Sequence, residues 1–322
     1  MSDSPLTSPG GASWSKGEMI GRGRTSEVFA YGDGRVVKLY PPGQDRAAVE
    51  REAAASALAH ELGVPSVRCD GLVEIDGQVG IVFERFDGPS LTELAERDLA
   101  HMPATCRVLA DLHVRTHAAH TAELRDVRQV ALSLLDAEPL RQETDGLTPA
   151  EGQWLRRHLL GLPDGDSLLH LDYHSQNAFQ NGDGYVVIDW YSACRGHPAA
   201  DVAMSVVMMR EAELFPGTPP LKLLLYSAAR RLMLHFYLRR YLATGTVTAG
   251  QAREWRTCAR ILRLGLLDVA SERARLGRRI RAAARRGAKR DGGGNVREPD
   301  ADASGIGGPG GRDGGAGERG DA

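Results

Sequence analysis

The chain has 322 residues, 42% of them hydrophobic, and a formal net charge of -2, which predicts a globular protein with a sizeable core in one large domain or two lobes. It contains no run of eighteen apolar residues and begins with a polar stretch, so we expect neither membrane spanning nor secretion. The four cysteines are far apart and lack metal-ligand spacing. They predict reduced thiols in a cytoplasmic protein and exclude a disulfide framework or a zinc site.

A small antiparallel sheet with one main helix is predicted first. Residues 1–15 are polar and rich in Ser, Pro and Gly, so a flexible N-terminus is expected there. Asp-Gly pairs, which accept positive φ, predict one hairpin over residues 27–40 and a second over residues 71–84. Between them, residues 46–62 are rich in Ala, Glu and Leu and precede a Gly and a Pro, which predicts a helix. The order over residues 16–87 is therefore strand, strand, helix, strand, strand.

The following part of the chain is predicted to be mainly helical. Helices are expected at residues 91–96, 103–120, 148–160, 199–213 and 221–242. A third Asp-Gly turn predicts a hairpin that joins residues 177–180 to residues 185–189. The fold class is thus α+β with two lobes, an N-terminal antiparallel sheet with one main helix and a mainly helical C-terminal lobe over residues 88–290. Ligands usually bind in the cleft between two such lobes.

An arginine-rich segment and a glycine-rich tail come last. Residues 269–290 are predicted to be helical, but nine Lys or Arg against one acid over residues 272–290 imply a helix largely in solvent. Contact of this segment with nucleic acid or a membrane surface is a weak alternative function. Residues 291–322 contain twelve glycines and almost no branched or aromatic residue, so we expect them to be disordered.

Three oxygen-bearing side chains are predicted to meet at the third hairpin. Asp172 and Asn177 lie in the sequence LLHLDYHSQN just before it, and Asp189 ends its return strand. Folding of the hairpin therefore brings Asp189 back towards Asn177. One of the three can accept a proton from a hydroxyl, and two can ligate a hard cation such as Mg²⁺. This is the oxygen chemistry that phosphoryl transfer needs.

The N-terminal lobe offers groups that complement these oxygens. Gly21 and Gly23 lie in a turn that leads into a strand, where backbone N–H groups can cradle phosphates, although such a pair is more often an ordinary turn. Lys38 stands among apolar neighbours in a predicted strand and needs an anionic partner. Glu52 is the best candidate, because its spacing places it on the inward face of its helix, whereas Glu50 points outward.

These residues stand in an order that resembles the aminoglycoside phosphotransferase family, a branch of the protein-kinase-like fold that contains small-molecule kinases. The specific motifs are His170-x-Asp172-x-His174-x-x-Asn177, the Ile188-Asp189-Trp190 that follows, and GHPAAD at residues 196–201. The likeness runs from about residue 20 to at least residue 201. It implies a two-lobed protein-kinase-like fold, use of ATP and Mg²⁺, and a small-molecule hydroxyl as the acceptor.

The resemblance also implies a role for each site residue. Asp172 would orient the acceptor hydroxyl and take its proton, while Asn177 and Asp189 would hold Mg²⁺ on the ATP phosphates. Lys38, held by Glu52, would bind the α- and β-phosphates. The other nucleotide contacts implied are Gly21, Gly23 and Ser26 around the phosphates, and Phe83, Glu84 and Phe86 of the hinge 83–87 around the adenine.

The sequence departs from the family pattern in two places. Leu171 stands where the family often has Gly, and a larger residue there could narrow the site. The third glycine of the protein-kinase turn is absent, so the Ser26 and Thr25 hydroxyls would take its place at the phosphates. Asp189 is followed by Trp-Tyr rather than Phe-Gly, which favours a small acceptor over a protein. Asp201, by resemblance, would support the catalytic loop rather than react.

Other polar residues have a structural or a functional interpretation. His170 and His174 are expected to hold the backbone of their loop. His113 and His117 are interpreted as packing residues of a helix, because no third metal ligand is near in sequence. Four acids of the helical lobe either line a site for an amino sugar or are surface charges: Glu211, Glu213, Asp268 and Glu272.

The expected function is phosphorylation of a small hydroxylated molecule by ATP. An aminoglycoside-like antibiotic is the first guess for the acceptor, which would make the protein a resistance enzyme, and choline, homoserine or a sugar is the alternative. A catalytically silent nucleotide-binding protein is disfavoured, since every expected catalytic and ligand position is filled. The choice between ATP and GTP and the oligomeric state are left open.

Overall fold

The computed structural model describes residues 17–23, 26–138, 140–212 and 219–293. The predicted flexible N-terminus at residues 1–15 lies outside these ranges, as does almost all of the glycine-rich tail. Residues 291–293, which the sequence pattern assigns to that tail, instead extend the last helix.

An antiparallel sheet of five strands forms the first lobe, in the order β1-β2-β3-β5-β4. The strands are β1 Met19–Arg22, β2 Glu27–Ala30, β3 Arg35–Leu39, β4 Cys69–Ile75 and β5 Gln78–Glu84. β2–β3 and β4–β5 are the two predicted hairpins, and their turns have positive φ at Gly34, Asp76 and Gly77, as tight turns require. β1 pairs with β2 and is one strand more than the sequence predicts.

One helix packs on this sheet, as predicted. α1 spans Arg46–Glu61 and begins where the Asp45 side chain accepts a hydrogen bond from the backbone of the first turn. It ends just before Gly63, whose φ is +74°; both features are ordinary helix-end chemistry. The inward face is buried and includes Val49 and Glu52, so the predicted orientation of the helix is confirmed.

Helices dominate the second lobe. Within its described residues they are α2 Leu91–Arg97, α3 Met102–His117, α4 Val127–Leu134, α5 Leu140–Glu143, α6 Pro149–Leu160, α7 Ala199–Glu211, α8 Pro220–Leu242, α9 Ala249–Glu254, α10 Arg256–Leu262 and α11 Ala270–Gly293. The five predicted helices correspond to α2, α3, α6, α7 and α8. The sequence does not predict α4, α5, α9 or α10, which have four to eight residues and are too short for a clear helical period.

α7 lies at the centre of this lobe. Nearly all of its residues are buried, as expected for a helix that is apolar on every side, and it packs against α8, α9 and α10. The core around it includes the fully buried Trp255 and Tyr237. Even so, no helix in the described ranges is both long and apolar enough to cross a bilayer.

Two small antiparallel pairs hold the predicted catalytic region. β7 Ala178–Asn181 and β8 Gly184–Val187 form the third predicted hairpin. β6 Ser167–Leu169 pairs with β9 Cys194–Gly196, a pair that the sequence does not predict. Residues 170–177 therefore connect β6 to β7. Because each of these strands is paired with another, backbone hydrogen bonds fix both ends of this catalytic loop.

The hairpin β7–β8 is also tied to the first lobe. Val187 N donates to Pro65 O over 2.7 Å, and the indole Nε1 of the buried Trp190 donates to Ser66 Oγ over 3.0 Å. Pro65 and Ser66 belong to the connection between α1 and β4. The two lobes therefore share hydrogen bonds in addition to the chain connection at the hinge.

The arginine-rich segment forms α11, and the expectation of a helix largely in solvent is wrong. Leu276 and Ile280 are at most 1% exposed, and the helix packs on α5, α6 and α10. Some of its arginines contact acids of the same protein; Arg279 Nη1, for example, lies 2.8 Å from Glu211. Part of the positive charge is thus directed at the protein itself.

Candidate active site

The catalytic loop is held by Asp201 at the start of α7. The completely buried carboxylate accepts hydrogen bonds from His170 N over 2.5 Å and from Leu171 N over 3.0 Å. Burial alone would raise the pKa of Asp201. The neighbouring imidazoles, His113 first and His117 second in the size of their effect, instead hold this pKa well below the usual range. The carboxylate is therefore ionised and fixes two consecutive backbone groups of the loop, as the resemblance implies.

Leu171, which stands in place of a family glycine, has a left-handed backbone. Its φ is +59°, a conformation that costs a non-glycine residue roughly 1–2 kcal/mol. The side chain is completely buried in the core of the helical lobe. It therefore packs beneath the loop, and the expectation that it narrows the site is wrong.

Replacing Leu171 by Gly should destabilise the protein even though it relieves this strain. Loss of a buried Leu side chain costs about 2–5 kcal/mol, which exceeds the roughly 1–2 kcal/mol of relieved strain. We expect the free energy of unfolding in urea to fall by about 1–3 kcal/mol. Leu169→Ala relieves no strain and should cost about 2–5 kcal/mol. A Gly variant more stable than the wild type would contradict this reasoning.

Two histidines of α3 complete the surroundings of Asp201. The Nε2 atoms of His113 and His117 lie 3.2 Å and 3.4 Å from Asp201 Oδ2. Their Nδ1 atoms accept hydrogen bonds from the hydroxyls of Tyr237 and Tyr241, each over 2.6 Å. Burial is the main cause that lowers the pKa of His113 to about 3, so this imidazole is neutral. The packing interpretation rested on the lack of a third ligand, but the fold supplies Asp201, and the ligand atoms of the three residues lie within 4.8 Å of one another, as in a group that could hold a metal ion. The hydrogen bonds of the two imidazoles to tyrosines and of Asp201 to the loop backbone favour the packing interpretation.

Acid should weaken the fold through His113. Its imidazole binds a proton at a pKa of about 3 when folded but near 6.5 when unfolded. Between these values the unfolded state holds the extra proton, so stability is lost as the pH falls through this window. From urea melts, we expect this group alone to lower the free energy of unfolding by about 2 kcal/mol between pH 7 and pH 4.5.

His113→Gln removes the titrating group and should flatten this part of the pH dependence. His235→Gln, at an exposed position of α8, is the matched control and should leave the wild-type slope unchanged. Equal slopes for the wild type and His113→Gln would show that another group causes the acid sensitivity.

Asp172, the expected base, lies close to two basic side chains. His174 Nε2 is 3.8 Å from its Oδ2, and Arg263 Nη1 is 3.6 Å from its Oδ1. Burial alone would raise the pKa of Asp172, but His174, followed by His170 and Arg263, holds it below the usual value. The carboxylate is thus ionised at neutral pH and able to accept a proton from a hydroxyl in the cleft.

The two loop histidines bind backbone, as expected. His170 Nδ1 accepts from Asp172 N over 3.2 Å, and its Nε2 donates to Ile188 O over 2.9 Å. His174 Nδ1 accepts from Gln176 N over 3.2 Å. His170 therefore links the catalytic loop directly to the strand end that carries Asp189.

Arg263 is a site residue that no sequence pattern indicates. It begins a π-helix, Arg263–Leu267, between α10 and α11, and such turns are rare and frequent at functional sites. Its Nε and Nη2 bind both oxygens of Glu272, over 2.8 Å and 3.0 Å, while Nη1 is directed at Asp172. Arg263 and Asp172 are 91 residues apart, and only the fold brings them together.

Asn177 and Asp189 flank the hairpin, as predicted. Ile188 N donates to Asn177 O over 2.9 Å, so the two residues occupy neighbouring positions across the strand pair. Asn177 Nδ2 donates to Asp172 O over 3.0 Å, which leaves the amide oxygen as a possible cation ligand. Asp189 has a φ of +70°, a conformation that Asp tolerates better than most residues.

Lys38 joins the two lobes at the site. Its Nζ lies 2.6 Å from Glu52 Oε1 and 3.0 Å from Asp189 Oδ1. The predicted pairing with Glu52 is confirmed, and Glu50 is exposed as predicted. Burial would lower the pKa of Lys38, but the carboxylates of Asp189 and Glu52 outweigh this effect and raise it. The Tyr40 hydroxyl donates to the other oxygen of Glu52, a contact that the sequence did not predict.

The glycine turn connects β1 to β2. Gly21 and Lys38 lie in one row of the sheet, separated by one residue of β2. Gly23 N donates to Ser26 O over 2.9 Å and closes the turn. Residues 24–25 at its tip, including the Thr that was expected to bind phosphate, lie outside the described ranges. The sheet register thus places Gly21 and Lys38 on the same face of the sheet.

The predicted hinge follows β5. Phe83 and Glu84 end the strand, and Phe86 packs edge to face on Phe179 of β7 with ring centroids 5.2 Å apart. The backbone N–H groups of Glu84 and Arg85 donate to carbonyls within the first lobe. Contacts to an adenine would therefore have to come from other backbone groups of the hinge, such as Phe86 N–H.

The acids that were considered as an acceptor lining are paired with arginines. The pairs are Glu211 with Arg260 and Arg279, Glu272 with Arg263, and Asp268 with Arg273. Glu211 and Glu272 are also buried. Neither interpretation, an anionic lining or simple surface charges, describes these two acids correctly, and Glu213 lies outside the described residues.

The collected groups fit a nucleotide and a divalent cation. Asp189 and the amide oxygen of Asn177 are the hard ligands that Mg²⁺ prefers, and Lys38 presents an ammonium group held by Glu52. Asp172 presents an ionised carboxylate on the catalytic loop, which His170 links to the strand end that carries Asp189. Such a pairing of cationic and anionic groups can position phosphates against a hydroxyl.

Comparisons with known proteins agree with this geometry. The model of the phosphotransferase enzyme family matches residues 16–241. Among solved structures, a protein assigned as a fructosamine-3-kinase from Haemophilus somnus 129PT is 14% identical, with 82% of this chain and 90% of that chain covered and a TM-score of 0.53. The streptomycin–ATP–APH(2")-IIa ternary complex is 12% identical, with 83% and 90% covered and a TM-score of 0.51. A search of curated proteins found no match. The predicted two-lobed protein-kinase-like fold is confirmed.

Proposed function

Because the chain belongs to the phosphotransferase enzyme family, we propose that it transfers the γ-phosphoryl group of ATP to a hydroxyl of a small molecule in a Mg²⁺-dependent reaction. The observation that carries this proposal is the contact of Lys38 with both Glu52 and Asp189. Asp189 lies at the strand end that His170 links to the loop of Asp172. The choice of ATP is supported by the ATP that APH(2")-IIa, a protein of the same fold, holds in its ternary complex.

On the nucleotide side, Lys38 would bind the α- and β-phosphates. Glu52 and Tyr40 keep its ammonium group in place through the hydrogen bonds Lys38–Glu52 and Tyr40–Glu52. Asn177 and Asp189 are the residues that would hold Mg²⁺, which when bound neutralises charge on the phosphate oxygens. Gly21, Gly23 and Ser26 would contact the phosphates from the turn, and Phe83, Glu84 and Phe86 would surround the adenine.

On the acceptor side, Asp172 would take the proton of the acceptor hydroxyl. The hydroxyl oxygen forms a bond to the γ-phosphorus, and the bond from that phosphorus to the β–γ bridging oxygen breaks. The products are ADP and a phosphate ester, and the proton passes from Asp172 to solvent. Asp201 acts only through the loop, by holding the two backbone N–H groups that precede Asp172.

A catalytically silent, nucleotide-binding protein of the same fold is the second candidate. The ionised Asp172 and the formed Lys38–Glu52 pair argue against it, since a scaffold needs neither. The sequence made nucleic-acid binding through residues 272–290 a weak alternative. The structure weakens it further, because arginines of α11 such as Arg279 contact protein groups.

We also propose that the enzyme acts in the cytoplasm, where ATP is plentiful.

The test is a screen of ADP release from ATP, or GDP release from GTP, over aminoglycosides, choline, homoserine and sugars, in Mg²⁺ and after its removal by EDTA. We expect release that depends on both the acceptor and Mg²⁺ and that Lys38→Ala abolishes. Turnover of an aminoglycoside would make antibiotic resistance the biological role, and turnover of a metabolite would not. Nucleotide binding without turnover of any hydroxylated compound would favour the silent scaffold.

A further inference from the structure

Three arginines from separate elements lie around Glu272 and the end of α7, and one of them, Arg263, reaches Asp172. They are Arg230 of α8, Arg263 of the π-helix and Arg275 of α11, and we call them the arginine cluster. Arg263 binds Glu272 of α11, and Arg275 follows Glu272 by about one helical turn. Arg230 binds carbonyls at the end of α7, where Glu211 binds Arg279 of α11. The charges of Arg263, Arg275 and Glu272 also act on Arg230. Arg263 in turn lies 3.6 Å from Asp172. Arg263 therefore connects the cluster to the expected base, and among the described residues the cluster carries three positive charges beside the negative charge of Glu272.

Arg275 lies on the face of α11 that is turned towards this site. It follows Glu272 by three residues, a spacing that puts two side chains on the same side of a helix, and Glu272 is fixed to Arg263. Arg275 is half-buried. Among the residues that the structure describes, no carboxylate lies within ion-pair distance of it, so its charge is available to a ligand.

Arg230 likewise has no carboxylate partner in the described part of the chain. Its Nη1 donates to Ala212 O over 2.9 Å and its Nη2 donates to Met208 O, which are carbonyls at the end of α7. Burial is the main cause that lowers the pKa of Arg230; Glu272 opposes this effect, and Arg275 and Arg263 add to it. A partly buried guanidinium with only carbonyl partners gains from an anionic ligand.

We propose that the acceptor carries an anionic group, a carboxylate or a phosphate, which the arginine cluster binds while the acceptor's hydroxyl faces Asp172. This inference rests on the proposed function and names the substrate class of the same site. Guanidinium groups suit both anions, because their planar N–H donors match two oxygens at once. Since Arg263 adjoins Asp172, the phosphorylated hydroxyl lies only a few bonds from the anionic group.

A polycationic acceptor fits the same surface poorly. Its ammonium groups would meet the arginine cluster, and like charges brought together cost affinity. The acids of the surrounding helices that could offset this repulsion, Glu211, Asp268 and Glu272, are already paired with arginines. The geometry therefore points away from an aminoglycoside and towards a hydroxy acid or a hydroxylated phosphate ester.

The first arm of the test compares matched acceptors by steady-state ADP release from the full chain with Mg²⁺ and ATP. D-glycerate is paired with D-glyceramide, ribose 5-phosphate is paired with ribose, and kanamycin and streptomycin form the cationic set. We expect kcat/KM for an anionic acceptor to exceed that of its neutral partner at least tenfold, and the two pairs distinguish a carboxylate from a phosphate. Equal or faster turnover of the neutral or cationic compounds would overturn the proposal.

The second arm measures binding without turnover. With the nucleotide site saturated by Mg²⁺ and a non-hydrolysable ATP analogue, calorimetry would follow the titration of D-glycerate and of inorganic phosphate. We expect at least one probe to bind the wild type and to bind Arg275→Gln at least tenfold more weakly. Arg278→Gln, at an exposed position of the same helix, is the matched control and should bind like the wild type.

Two results of the calorimetry would overturn the anion site: neither probe binds the wild type, or Arg275→Gln binds as tightly as the wild type. The same experiment reports binding of the ATP analogue. Normal binding of the analogue with no anion binding would sink this inference alone, whereas loss of both would also count against the proposed function.

Discussion

Replacing Asp172 by Asn should lower kcat by a factor of about 10²–10⁴, the usual contribution of a positioned general base, and leave the KM for ATP nearly unchanged. The amide keeps the shape of the side chain beside Arg263 and His174 but cannot take the proton of the acceptor hydroxyl. The measurement is steady-state ADP release with an acceptor that the wild type phosphorylates.

Asp183→Asn is the matched control for this variant. It makes the same exchange at an exposed position in the turn between β7 and β8, and it should retain the wild-type kcat. Binding of an ATP analogue to both variants would show that they are folded. A kcat for Asp172→Asn within tenfold of the wild type would remove Asp172 from the role of base.

Replacing Asp201 by Ala should lower the free energy of unfolding by about 3–5 kcal/mol, the cost of removing one partner from a buried charged network. The change leaves the N–H groups of His170 and Leu171 without their acceptor, and the imidazoles of His113 and His117 without the carboxylate that lies 3.2 Å and 3.4 Å from their Nε2 atoms. Urea denaturation followed by circular dichroism measures the loss. Such a loss is a large fraction of the stability of a typical protein.

Two further variants define the cause of this destabilisation. Asp201→Asn keeps one oxygen acceptor, so it should lose less stability than Asp201→Ala. Asp183→Ala removes an exposed carboxylate and should change the free energy of unfolding by no more than about 0.5 kcal/mol. A loss for Asp201→Ala as small as that of Asp183→Ala would mean that Asp201 does not hold the loop.

The elements predicted correctly from the sequence are those with strong local signals. Asp-Gly turns locate the three hairpins, and a long helical period locates α1 and the longer helices of the second lobe. β1, β6 and β9 have only three or four residues, and they exist because partners elsewhere in the chain complete their hydrogen bonds. Their formation depends on tertiary context, which a single sequence does not display.

The residues of the candidate site also divide into those that have a local sequence signal and those that have none. Asp172, Asn177 and Asp189 stand in one compact motif, and the pairing of Lys38 with Glu52 follows from the helix period. Arg263, by contrast, reaches Asp172 only through a π-helix that has no sequence signature. The failed expectations about α11 and about the acids have a common cause, since the partner of a charged side chain is decided by packing between distant elements.

Hydrogen bonds from Val187 to Pro65 and from Trp190 to Ser66 cross the boundary that the sequence places between the two lobes. A fragment that begins after the hinge would lack Pro65 and Ser66, and would leave the indole N–H of a buried tryptophan and a strand-end N–H without acceptors. Splitting the protein for complementation, or exchanging its first lobe with that of a relative, therefore has to preserve the short link after α1.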